Sequence, residues 1–290
     1  MPRVYSSQGP DTAEPEGKPN YATEIEYAEC EETAPPAFRE TRSPGDTVMS
    51  PEIPKAPAPG GLRNYIGNPA PIAITGFVMS LTPLSCDMMG WRGAGGNGAA
   101  HIGAYIFFGG VLLLVGGFME CLIGNTFPSV VFMSFGCFYL TLATTLTPFY
   151  GAYAAYSPSA TDPAAGLATE GFNASFGFFL VFFNLLCFIY LICCFRTNVV
   201  FVYILFTVVL GVGLIIACYF YMAMQETALA LKFQIGGGAV LFAACLGGWY
   251  LLFALLLLAV DFPLQLPLGD LTQIVPSYSQ LKKEADLERC

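Results

Sequence analysis

"FGFFLVFFNLLCFIYLICCF", Phe176 to Phe195, is a run of 20 residues without one charged side chain. An α-helix needs about 20 predominantly apolar residues to cross the hydrocarbon core of a bilayer. The competing spanning structure, a β-barrel, is built from strands of about 10 residues that alternate apolar and polar. This run does not alternate, and neither does "LLFALLLLAV", Leu251 to Val260. Working outward, the same character defines six spans: Pro69 to Cys86, His101 to Leu122, Ser129 to Leu146, Asn173 to Phe195, Val199 to Met222 and Phe233 to Val260. The expected fold is an all-α integral membrane protein, a six-transmembrane-helix bundle. Thr82 and Pro83 lie in the first span, whose far end is expected to kink or unwind.

Composition agrees with that expectation. The 290 residues are 55% hydrophobic and only 11% charged, with a mean hydropathy of +0.59, far from the balance of a soluble domain. From Met1 to Arg63 the chain carries eleven acidic and six basic residues, which leaves ten and six for the remainder. That first stretch is rich in Pro, Glu, Ser and Thr and cannot bury enough surface to offset its ordering entropy. Residues 1–63 are therefore expected to be a disordered, acidic N-terminal tail, 64–262 the transmembrane domain and 263–290 a short C-terminal tail. The first sixty residues show no charged segment followed by an apolar one, so the first span is expected to direct insertion. Lys55, Arg63 and Arg196 on one side, against Arg92 and Lys232 on the other, vote for cytoplasmic termini. The net charge of −9 argues against a nucleic-acid partner.

Catalytic chemistry is poorly supplied. His101 is the single histidine, so neither a multi-histidine metal site nor a histidine relay can be assembled, and no metal or cofactor is expected. Most of the ten cysteines lie inside apolar runs, where they act as small hydrophobic residues. No mid-membrane carboxylate or lysine marks a proton-carrying path. Glu120 and Arg196 fall near the inner ends of the second and fourth spans, where an ion pair between them is one expectation and two headgroup-facing charges the other. Gly103, Gly110, Gly117 and Gly124 recur every seven residues and drift by only ~20° per repeat on a helix. Such a stripe lets another backbone approach closely in lipid. The sequence "NAS" at Asn173 matches a glycosylation acceptor at the mouth of a span.

"NPAPIAITGF" at Asn68 to Phe77, "GNTF" at Gly124 to Phe127 and "SFGCFYLTL" at Ser134 to Leu142, in that order, resemble the acetate uptake transporter family of bacterial succinate-acetate permeases and their fungal relatives. The likeness runs from about Asn64 to Val260 and includes "GGWY" at Gly247 to Tyr250. The long acidic tail makes the chain similar to fungal members. The resemblance implies a plasma-membrane transporter of acetate and related short monocarboxylates, linked to protons and assembled as a homohexamer with a path in each protomer. Acetic acid ionises near roughly pH 4 to 5, as carboxyl side chains do, so an acidic exterior presents the neutral acid.

The resemblance also implies an apolar constriction at Phe77, Phe135 and Val208. It puts Asn125 and Thr126 at an inner turn, where capping the third span competes with solute contact. Lys232 falls near an outer mouth, where attraction of anions competes with a headgroup contact. Asn68, Pro69, Ala70 and Pro71 open the first span. The prolines give up no internal hydrogen bond there, and Asn68 is expected to cap. The helix dipole then faces an anion path. Ammonia or ammonium export, and a membrane sensor whose acidic tail recruits partners, are the alternatives.

Overall fold

The computed structural model describes residues 65–272 and 274–287. The expected tail at 1–63 lies outside the described residues. Six helices are long and apolar enough to span a membrane: α1 (Ala70–Met89), α2 (Gly98–Leu122), α3 (Thr126–Leu146), α4 (Glu170–Cys194), α5 (Val199–Ala223) and α6 (Thr227–Ala259). A short polar helix, α7 (Tyr278–Leu287), follows. Among the described residues there is no strand, only an isolated bridge between Asn198 and Asp270. Large apolar side chains such as Phe107, Phe118, Phe182 and Phe253 stay exposed on the flanks of the spans. That is the surface of an integral membrane protein, whose outside faces lipid.

The first helix is longer than expected. α1 continues helically through Pro83 to Met89, and Gly90 ends it in the left-handed conformation at φ 69°. Proline removes one N–H from the ladder, and in membrane helices neighbours compensate for such a loss. A separate side-chain bond ties the same turn to α6, where Trp249 Nε1 donates to Thr82 Oγ1 at 3.0 Å. α2 is not a uniform α-helix. Its middle, Tyr105–Leu112, is a π-helix between a short regular turn, Ile102–Ala104, and the regular stretch Leu113–Leu122. A wider turn of this kind shifts the register of everything before it.

Close backbone packing is set by glycine doublets. In α2, Gly116 abuts Ala73 of α1, Gly110 and Gly117 abut Leu140 and Met133 of α3, and Gly109 meets both Tyr139 of α3 and Ser80 of α1. In α6, Gly237 and Gly247 abut Ile215 and Tyr203 of α5, while Gly238 and Gly248 abut Met88 and Val78 of α1. Adjacent helical positions point about 100° apart, so in three of these four doublets one glycine serves each neighbour. Of the expected seven-residue stripe, Gly110 and Gly117 face α3. A side chain at Gly103 would meet nothing, and Gly124, at φ 89°, forms the turn into α3. The helices follow the order α1–α2–α3 and α4–α5–α6, and α1 packs on α6 to join the two sets. α3 and α4 meet through side chains: the Phe138 and Phe183 rings stack with centroids 4.2 Å apart, and Tyr190 donates to Ser134 Oγ at 3.2 Å.

The segment after α6 folds back under the bundle. Val199 N–H donates to Gly269 O at 2.8 Å and Leu271 N–H to Thr197 O at 3.0 Å. Tyr250 OH donates to Pro267 O at 2.8 Å. The described part of 263–290 thus begins as a strap pinned to the α4–α5 turn.

Candidate functional site

Two cavities lie in series along the bundle. The first is lined by Ile74 and Phe77 of α1, Val131, Phe132 and Phe135 of α3, and Phe201, Ile204, Leu205 and Val208 of α5, with Leu113 and Leu251 completing it. Every one of these side chains is apolar. The second, larger cavity is lined by the far ends of α1, α3 and α5 and the start of α4, and it includes the polar Thr145, Asn173 and Gln234. Phe135 borders the first cavity and Phe138 the second. Both rings touch Phe183, at centroid distances of 5.3 and 4.2 Å. This aromatic cluster divides the two spaces.

The structure brings Phe77, Phe135 and Val208 to one cavity. Phe77 is half-buried, whereas Phe135 and Val208 are 7% and 2% exposed. Phe77 and Phe135 meet edge to face at 6.1 Å, the arrangement that ring quadrupoles favour.

At the start of α1, Asn68 Oδ1 accepts from Ala70 N–H at 3.0 Å. The regular helix begins at Ala70 with Pro69, at φ −83°, in the N-cap position, so Asn68 makes its bond from one residue before the position expected for it. Ile72 N–H donates to Pro69 O at 3.0 Å, and Pro71 has no N–H to offer. The donors expected to face an anion are thus already engaged, and what remains at this end is the dipole. Asn68 itself is exposed, while Pro69 and Ala70 are buried.

At the turn between α2 and α3, Glu120 is 1% exposed and accepts from Asn125 Nδ2 at 2.7 Å. Asn125 occupies the N-cap position of α3, but its side chain makes no capping bond. It reaches back to Glu120 instead. Among the described residues no ion pair joins Glu120 to Arg196, which sits half-buried in the α4–α5 turn. Thr126 is exposed as the first residue of α3, and Lys232 is exposed on α6 two residues before Gln234. Asn173 is 3% exposed, with its Nδ2 donating to Leu167 O and Thr169 O at 2.9 and 2.8 Å.

Over residues 54–273 the sequence matches the GPR1/FUN34/yaaH family. The chain belongs to that family. Protein alcS of Aspergillus fumigatus is 42% identical over 214 residues, 74% of this chain and 79% of the relative. The acetate transporter protein patA of Aspergillus clavatus is 28% identical over 218 residues, 75% of this chain and 83% of the relative. Among solved structures, that of the bacterial acetate channel SatP superposes with a TM-score of 0.53 at 22% identity, covering 70% of this chain and 99% of the other. At that identity the likeness is one of fold.

Within this GPR1/FUN34/yaaH member, two features escaped the sequence. Phe201, Ile204, Leu205 and Val208 follow a 0, 3, 4, 7 spacing and form one helical face. Extending that period backward from Val208 finds the other three. Asp87 falls just past the expected first span, Pro69 to Cys86, whereas α1 carries it into a buried position, 6% exposed.

Proposed function

We propose that this protein carries acetate and related short-chain monocarboxylates across the plasma membrane, linked to protons. Phe77, Phe135 and Val208 form the narrow apolar constriction of each protomer, both termini are cytoplasmic, and the assembly is a homohexamer. The observation that carries the reading is the wholly apolar cavity around these three side chains, in series with a larger cavity that holds polar groups. A path without fixed charge at its narrowest point suits a small acid that crosses with its proton attached, since a bare carboxylate pays a large desolvation cost there. The names of the patA and SatP relatives agree with such a solute.

On this reading the Phe135–Phe183–Phe138 cluster separates an inner chamber from an outer vestibule. Asn68, Pro69, Ala70 and Pro71 present the helix dipole near the inner mouth, where Glu120, Asn125, Thr126 and Arg196 also lie, and exposed Lys232 draws anions toward the outer one. The reading is tested by uptake of labelled acetate in cells lacking their own carrier, at acidic external pH. Uptake above the empty-vector control, competed by propionate and lactate, is expected. Surface-expressed protein that never exceeds the control defeats it, and competition by ammonium alone turns the assignment to ammonium.

A further inference from the structure

Away from the chain ends, the last turn of α1 and the first turns of α2 bring three polar side chains together inside apolar packing. Asp87 is 6% exposed, and His101 Nδ1 lies 3.1 Å from its Oδ2. The contact has the distance of an ion pair without the alignment of a hydrogen bond, and neither atom has another partner. Tyr105, one turn on from His101, is fully buried with an unpartnered hydroxyl. Its ring stands edge-on to the imidazole at 6.3 Å. A side chain at Gly98 would collide with that hydroxyl and touch Leu84. Leu84 and Met88, which flank Asp87 on α1, line the larger cavity. The acidic group is therefore one side-chain layer behind the wall of the vestibule.

The surroundings offer Asp87 little else. On α1 the titratable neighbour is Cys86. From α3, Tyr139 stacks on Tyr105 at 6.0 Å. From α6, neutral Gln234 donates to Met88 O at 3.4 Å, and Cys245 lies 4.0 Å from the Ser85 hydroxyl. The nearby cations, Arg92 in the connecting turn and Lys232 on α6, are both exposed.

We propose that Asp87 and His101 form a proton-binding site that sets the charge behind the vestibule wall and so regulates entry of the substrate anion. The inference rests on the transport reading above. Histidine is the side chain whose ordinary range lies within the pH span met by a cell surface. When the imidazole takes a proton from water at its half-exposed edge, imidazolium and carboxylate cancel. When the proton returns to water, a buried carboxylate is left without a counter-charge, and its field extends into the low-dielectric cavity beside it. A carboxylate solute enters the first state more readily than the second.

The test holds the acetate anion constant while external pH is varied and compares the variants at each pH, where all meet the same undissociated acid, so that any difference between them belongs to the protein. On acidification wild-type uptake is expected to rise roughly threefold or more beyond that of His101→Gln, whereas Asp87→Asn, whose imidazole still takes a proton, is expected to keep the step at a moved midpoint. A rise in His101→Gln equal to that of the wild type, or an Asp87→Asn step at the wild-type midpoint, overturns the proposal. Because the chain has a single histidine, histidine-labelled full-length protein in nanodiscs gives one imidazole NMR titration. Its midpoint should coincide with that of the uptake step and move in Asp87→Asn. If the wild type transports nothing, the transport reading has failed by itself. The site is then judged by NMR, and a His101 titration indifferent to Asp87→Asn removes it.

Discussion

The rings of Phe77 and Phe135 stand edge to face with their centroids 6.1 Å apart, one from α1 and the other from α3. They close one cavity between helices that touch little by backbone. Truncating Phe77 to Ala removes half of this contact and widens the space beside Leu113 and Leu251. Uptake of propionate and lactate is expected to gain on that of acetate by about tenfold, the order that one or two methylenes command in a tight apolar pocket. The check is competition of labelled acetate by each acid in Phe77→Ala and wild type at equal surface expression.

The glycine doublets give a prediction about stability. A methyl added at Gly116 would fall 2.8 Å from the backbone nitrogen of Ala73, and backbone cannot swing aside. Gly116→Ala is expected to cost about 1–3 kcal/mol, as overpacking does. Gly103→Ala meets nothing and should leave the thermal midpoint of the purified protein unchanged or slightly raised, because alanine is the better helix former. Equal losses in both variants would contradict the close-approach account.

Asn68 holds the Ala70 N–H at the head of α1. Removing that bond in Asn68→Ala should cost about 0.5–2 kcal/mol of helix stability. If capping is its whole task, transport by folded, surface-expressed protein stays close to wild type. A loss of tenfold or more in such protein assigns the residue a direct contact with the solute.

The strap after α6 hangs on a small number of polar contacts. In Tyr250→Phe the hydroxyl that donates to Pro267 O at 2.8 Å is gone, a loss of about 0.5–1.5 kcal/mol. Hydrogen exchange of the 263–272 segment should quicken by up to roughly tenfold, with the amides in the middle of α5 unaffected. Unchanged exchange would mean that the backbone bonds of Val199 and Leu271 suffice to hold it.

Much of the fold was legible because lipid imposes a simple rule. Runs of apolar residues long enough to span are helices, and the expected fourth and fifth spans end within one residue of the observed ones. Spans are harder to delimit where polar residues sit inside helices. The sixth begins at Thr227, six residues before the expected Phe233, because Lys232 near its head hid the earlier turns. Asp87 was lost in the same way at the end of the first. The π-helix of α2 leaves no mark in composition, so a strict count of seven does not follow the helix back to Gly103, and Gly124 lies past the end of α2 in the turn. At the proposed site, motif likeness points to Phe77, Phe135 and Val208, and these three line one cavity. Their lining partners depend on which faces converge, a property of the packed bundle.

The α1–α6 contact also constrains how the protein is made. Helices α1 to α3 and α4 to α6 can pair with sequence neighbours as each leaves the translocon, but α1 must wait for Gly238 and Gly248 of the last helix before its other flank is covered. Until synthesis passes α6 the first helix lies against lipid with Val78 and Ser85 unpacked. Chains arrested before that point carry an unfinished seam, the kind of surface on which membrane quality control distinguishes incomplete products from mature ones.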